Sequence, residues 1–195
     1  MNAHKVILDT FSTADRPDSM PRLLRRGTRD DLGKVFKALG YQSGAEIGTR
    51  KGDFAKILCL AHPDMHLWCV DPWMGYNNVS QKRQDNIYPH AMKQLAEYNA
   101  TLIRKTSMDA VLDFEDESLD FVYIDGNHKF DFVMLDLIHW APKVRKDGIV
   151  ALHDYRAGHW AGVVEAVDAY TKSHDIRPWY VTREGEPSAF WVQGA

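Results

Sequence analysis

Cysteine is nearly missing from this chain: Cys59 and Cys69 are the only two among 195 residues. They fit neither a zinc-ligand spacing nor a disulfide framework, so a reducing, cytoplasmic setting is the expectation. Long apolar runs are missing as well. No stretch approaches the roughly 20 residues of a membrane span, and Val6-Ile7-Leu8 is too short for the core of a signal peptide. There is no excess of basic charge. Lys and Arg number 24 against 27 Asp and Glu, for a net charge of −3, which argues against a nucleic-acid partner held by backbone electrostatics. The cluster Arg22, Arg25, Arg26 and Arg29 is a local exception, read here as a solvated segment beside the first helix. No repeat or low-complexity tract is visible. What remains is an ordinary globular composition, 45% hydrophobic and 26% charged, long enough for one core.

One stretch organises the rest, Gly44–Asp71. Ala45-Glu46-Ile47 is too short and too tightly bounded by Gly44 and Gly48 to be a helix, so it reads as a strand. Gly48-Thr49-Arg50-Lys51-Gly52 is a turn. Phe54, Ile57, Leu58 and Ala61 then recur at helical spacing. His66–Val70 reads as a second strand, closed by Asp71. A strand that turns through glycines into a helix aims free helix N–H groups at one spot, and lets a ligand approach where a Cβ would block it. An acid at the end of the next parallel strand can accept both hydroxyls of a ribose. The unit therefore predicts a nucleoside-containing cofactor.

The turn is not the dinucleotide fingerprint. G-x-G-x-x-G needs a middle glycine for the pyrophosphate, and Arg50 stands in that place. Glu46 would repel a pyrophosphate and can pair with an ammonium, which favours a nucleoside joined to an amino acid. On these residues the chain resembles the class I S-adenosylmethionine-dependent methyltransferases. A nicotinamide-dependent oxidoreductase is the alternative in the same fold class, disfavoured by Arg50. A catalytically silent nucleoside-binding or interaction module is the alternative from another class.

Around that unit the pattern alternates. Residues 1–27, broken by Pro17 and Pro21, read as an N-terminal arm packed on the body or on a second subunit, so a homo-oligomer stays open; residues 28–195 read as the domain. Thr28-Arg29-Asp30-Asp31 caps a helix carrying Leu32, Val35, Phe36 and Leu39. Helices are expected over Tyr88–Asn99, with Pro89 in its first turn and Met92, Leu95 and Ala96 on one face, through Ala110-Val111-Leu112, and around Val163–Tyr170. Phe132, Leu135 and Ile138 with Val133, Leu137 and Trp140 give another with a broad apolar face. Strands are expected at 101–103, 118–124 and 149–152, and the last two, at 179–182 and 189–192, form a hairpin. Lys146-Asp147-Gly148 reads as a turn. This alternation predicts a doubly wound, mainly parallel Rossmann-like α/β sheet with a terminal antiparallel hairpin, the pair that class I methyltransferases have and a plain dinucleotide domain lacks.

Polar residues gather after each strand, where open α/β sheets bind ligands. FVYIDGNHKFDFVMLDLIHWAPKVRKDGIVALHDY is similar to the branch of the class I methyltransferases that acts on small molecules and sugar-bearing metabolites. Carried over by position, the resemblance implies that Glu46, Gly48, Thr49, Arg50 and Gly52 line the methionine end. Asp71 takes the ribose with Pro72 and Trp73 beside it, Ser107 and Met108 flank the adenine, and Asp125 sits between cofactor and acceptor. Trp73, Tyr76, Asn77 and Asn78 suggest a wall that stacks on a ring and hydrogen-bonds to hydroxyls, hence a sugar-bearing or phenolic small-molecule acceptor. Two catalytic versions remain open. Asp125, His153 and Asp154 hold a divalent metal ion that lowers the pKa of an acceptor hydroxyl, or His128 or His153 takes the proton directly.

Overall fold

The computed structural model describes residues 2–14, 20–76 and 79–194; the expectations for Pro17, Asn77 and Asn78 fall outside them. Eight strands form one sheet in the order β1-β7-β8-β6-β5-β2-β3-β4. They are β1 (Arg22–Leu23), β2 (Ser43–Ile47), β3 (His66–Val70), β4 (Ala100–Ile103), β5 (Leu119–Ile124), β6 (Val144–Leu152), β7 (Trp179–Val181) and β8 (Ala189–Val192). All neighbours pair in parallel except β8, which runs antiparallel between β6 and β7. This is the sheet of the class I methyltransferase fold.

The central strands are apolar throughout because both faces are covered. On β5, Phe121 and Tyr123 point into one core with α2 (Leu32–Ala38) and α3 (Asp53–Ala61). Val122 and Ile124 point into a second core with α6 (Phe130–Trp140) and α7 (Ala161–Ser173). Helix α1 (Ala3–Thr10) buries Ile7, and Phe11 after it packs on Phe190 with ring centres 5.9 Å apart. Residues 2–14 thus lean on the C-terminal hairpin, and β1 adds to its edge through β7.

Several expectations shift. Helix α4 runs over Gln81–Leu95, starting at a Ser80 cap, so Pro89 lies inside it rather than in the first turn. A proline there removes one helix bond at a cost of ~3 kcal/mol, offset by burial of Ile87, Ala91 and Leu95, whereas Met92 is exposed. Helix α6 buries Val133, Leu137 and Trp140 but leaves Phe132, Leu135 and Ile138 outside. Lys146-Asp147-Gly148 is a bulged part of β6 and not a turn, with Asp147 at φ 63° and the register slipping opposite Leu119–Phe121. The short helix expected near Ala110 is α5 (Ser107–Ala110), followed by a 3-10 turn.

Candidate active site

Strand register assembles the site. Ile103 pairs with Val70, Val70 with Ile47, Ile47 with Ile124, and Ile124 with Leu152. The residues that follow, Asp71, Gly48, Asp125 and His153, therefore emerge side by side at the carboxyl edge. Cross-strand bonds continue this row: Asp125 N–H donates to Ile47 O at 2.7 Å, and His153 N–H to Ile124 O at 2.9 Å.

The turn after β2 is shaped by contact and by conformation. Gly48 sits at φ 99°, and a Cβ there would lie 2.1 Å from the Asp125 carbonyl oxygen. Arg50, in place of the usual middle glycine, still adopts the left-handed conformation at φ 51°. For an L-residue this costs ~1–2 kcal/mol, and two bonds hold it. Its N–H donates to Asp71 Oδ2 at 2.8 Å, and its carbonyl accepts the Trp73 indole N–H at 2.8 Å. Asp71 Oδ1 accepts the Trp73 N–H at 2.7 Å. Each carboxylate oxygen keeps a lone pair for a further donor.

Trp73 is fully buried against Ile87 and Ala91. It braces the turn from behind and offers no face for stacking on a ring, so the wall expected from it is not there. Tyr76 is exposed, and Pro72 is half-buried beside Asp71. Glu46 is buried, and its Oε2 has no partner in good hydrogen-bond geometry among the described residues; the Thr49 hydroxyl lies close enough to favour the charged carboxyl but also lacks a well-aligned bond. Burial, helped by the charges of Asp125 and Asp71 and opposed by Thr49 and Arg29, pushes the Glu46 carboxyl up to about 8. Ser107 is engaged in the core: its hydroxyl donates to Asp136 and accepts the Trp140 indole N–H at 2.8 Å. Met108 is half-buried against the second core.

Across the edge, Asp125, His128, His153 and Asp154 converge. His128 Nε2 lies 2.6 Å from Asp154 Oδ2 and 3.9 Å from Asp125 Oδ1. His153 Nδ1 lies 3.2 Å from Asp154 Oδ1 and 3.6 Å from Asp125 Oδ2. Burial alone would lower the two imidazoles, but Asp125 and Asp154 outweigh it and push each to about 9. Burial works the other way on the two carboxyls, yet the imidazoles hold both below the usual carboxylate range. Asp154 takes φ 62° and is buried. The compact set with metal-ligand spacing is Asp125, His128 and Asp154, with ligand atoms all within 4.8 Å of one another. His128 joins the two expected carboxylates there, and the expected His153 lies beside them, 3.2 Å from Asp154 and 3.6 Å from Asp125. A cleft lined by Asp125, His128, His153, Val133 and Val163 opens beside this cluster.

Three contributors were not expected from sequence. Arg29, assigned to a solvated segment, donates from Nη1 to Asp125 Oδ2 at 3.1 Å. Trp160 stacks on His128 and on His159, with ring centres 4.3 and 4.7 Å apart. The turn between β7 and β8 ties both neighbours down. Glu184 accepts the Arg29 N–H at 2.8 Å, and Glu186 accepts Arg156 at 2.7 Å and pairs with His159 at 3.1 Å. Trp160 could be suspected as an aromatic in the loop after a site-bearing strand; nothing local marks Arg29 or the two glutamates.

Residues 45–155 match a family model described as a methyltransferase domain. The chain belongs to this methyltransferase family. An uncharacterized protein, y4gI, of Sinorhizobium fredii (strain NBRC 101917 / NGR234) is 32% identical over 126 residues. The match takes in 62% of this methyltransferase and 14% of that protein, so the chain spans about a seventh of its relative. Among solved structures, the O-methyltransferase NovP superposes with a TM-score of 0.64 at 16% identity, covering 86% of this chain and 80% of that one. A putative caffeoyl-CoA O-methyltransferase from Staphylococcus aureus gives 0.60 at 16% identity, covering 85% and 82%. Cofactor-bound Rv0187 from MTB gives 0.58 at 16% identity, covering 98% and 89%. At such identities the likeness establishes the fold.

Proposed function

We propose that this methyltransferase transfers a methyl group from S-adenosylmethionine to a hydroxyl of a small-molecule acceptor, sugar-bearing or phenolic, with residues 28–195 as the catalytic domain. The observation that carries the reading is the pairing of Glu46 and Asp71 around the Gly48–Gly52 turn. A buried acid with an orphaned oxygen suits the ammonium of an amino acid, and a fixed acid with spare lone pairs suits a ribose diol. When bound, the cofactor supplies a sulfonium-activated methyl, so the protein's work is alignment and removal of the acceptor's proton.

Asp125, His128 and Asp154 face the acceptor side. They have the spacing and the donor set to hold a divalent ion of the manganese, iron or zinc kind, which would lower the pKa of the acceptor hydroxyl. Asp125 and Asp154 push both imidazoles up to about 9, and that proton has to leave before His128 can ligate an ion or either imidazole can act as a base. Trp160 and the loop 155–160 wall the acceptor side. That O-methyltransferases are among the fold's neighbours supports the choice of a hydroxyl.

Calorimetry with S-adenosylhomocysteine and with NADH, followed by a screen of small hydroxylated acceptors, tests the reading. S-adenosylhomocysteine should bind and NADH should not. NADH binding alone would overturn it, and methylation confined to proteins or nucleic acids would overturn the acceptor class.

A further inference from the structure

The carboxyl edge is crowded with acids: Glu46, Asp71, Asp125 and Asp154 all stand at strand ends. One guanidinium enters this group from outside the sheet. Arg29 opens the 3-10 turn Arg29–Asp31 ahead of α2, capped by Thr28. Its backbone is held by Glu184 and its Nη1 by Asp125. Its Cζ stands 4.8 Å from the centre of the Phe54 ring. Phe54 is the second residue of α3, directly beyond the glycine turn. The guanidinium therefore lies over the start of that helix, with its side chain 25% exposed. Arg50 and Lys51, the other cations at the turn, are exposed.

A second observation lies on the same spot. Glu46 is 2% exposed, with Oε2 unpartnered among the described residues. Buried polar atoms without partners are costly, and one that persists points to a ligand that completes it. A cation donating to Glu46 would offset the burial that raises its carboxyl and draw it to the carboxylate form, an acceptor. Arg29 carries five N–H groups in a planar fork, more than its bond to Asp125 uses, and such a fork matches a carboxylate. An orphaned acid and a pinned guanidinium, flanking one glycine turn, complement a zwitterionic amino acid.

We propose that Arg29 anchors the carboxylate of the cofactor's amino-acid end, opposite the ammonium taken by Glu46. This rests on the S-adenosylmethionine reading above. Glu184 holds its backbone and Asp125 holds its guanidinium before the ligand arrives, so little side-chain freedom is lost on binding.

The test compares ligands with and without that carboxylate. Wild-type protein should bind S-adenosylmethionine more tightly than its decarboxylated analogue by roughly ten- to a hundredfold, the range for a charge-assisted bond. Arg29→Met should weaken S-adenosylhomocysteine by a similar factor and leave 5′-methylthioadenosine, which lacks the whole amino acid, unchanged. Arg29→Lys should recover part of the loss. Equal binding of S-adenosylmethionine and its decarboxylated form by the wild type overturns the inference without any variant. Equal losses for both ligands in Arg29→Met also overturn it, by showing that Arg29 only supports the fold. If wild-type protein binds none of these nucleosides, the cofactor reading itself fails, and the inference with it.

Discussion

The Asp71 carboxylate holds the Arg50 N–H at 2.8 Å, so the acid expected to receive a ribose also fixes the turn expected to receive the amino acid. On the reading proposed above, cofactor affinity and local backbone order are coupled through this one side chain. Asp71→Ala should lower affinity for S-adenosylhomocysteine by roughly tenfold or more. It should also lower the melting temperature, by roughly 2–4 °C for each kcal/mol lost in a chain of this size, because the N–H groups of Arg50 and Trp73 lose their acceptor. Calorimetry and thermal unfolding read the two effects separately. Unchanged affinity in a folded variant rules out the ribose role.

Gly48→Ala should be more damaging than its size suggests. The new methyl meets the Asp125 carbonyl at 2.1 Å, and the left-handed backbone adds ~1–2 kcal/mol of strain. Either the end of β5 shifts, carrying Asp125 with it, or the turn does. We expect lower stability in denaturant unfolding and no measurable cofactor binding. Wild-type behaviour in both assays would show that the turn is not built as described.

The imidazole–carboxylate cluster gives stability a two-sided pH dependence. His128 and His153 are raised to about 9 in the folded protein, against about 6.5 unfolded. Their contribution is complete below about 6.5 and fades as pH rises through 9. Asp125 and Asp154 are lowered, so theirs is complete above about 4 and fades as pH falls below it. The cluster's own contribution should therefore hold level between about pH 4 and 6.5 and fade on either side, while buried Glu46, raised to about 8, adds a separate decline in melting temperature that begins above about pH 4.5. His153→Asn should flatten the alkaline decline; a decline identical to wild type would remove this cluster as its source.

Chelation separates the two catalytic versions. Exhaustive EDTA treatment should abolish turnover, a divalent ion should restore it, and Asp154→Ala should not respond to the ion. Turnover that survives EDTA but collapses in His128→Ala would assign the proton to a histidine base. An Asp125→Ala variant that folds, binds cofactor and turns over at the wild-type rate would contradict both.

Much of this was legible locally. The turn Gly48–Gly52, the acids at strand ends and the β/α alternation are short-range patterns, and parallel register converts them into one row. What local pattern missed was set by distant partners. Pro89 sits inside a helix because Ile87, Ala91 and Leu95 find a core. Met92 and Phe132 are exposed because periodicity allows two faces and packing selects one. Arg29 reads as one of four surface arginines until Asp125, 96 residues away, and Glu184, 155 residues away, come to it. His128 comes within 2.6 Å of Asp154 across a separation of 26 residues, so that both imidazoles, and not one, stand against the carboxylates.

The clasp formed by Glu184 and Glu186 sets an order of assembly. Strand β8 follows β7 in the chain, yet it is the strand inserted between β6 and β7, and the turn leading into it pins both Arg29 and the loop beyond β6. During synthesis, which proceeds from the N-terminus, the glycine turn and Asp71 can be in place while this side of the cleft still lacks its latch. A nascent chain halted before residue 184 would carry the glycine turn and Asp71 with Arg29, Arg156 and His159 still unlatched. Closing of this side of the cleft would then be timed by the arrival of residues 184–192.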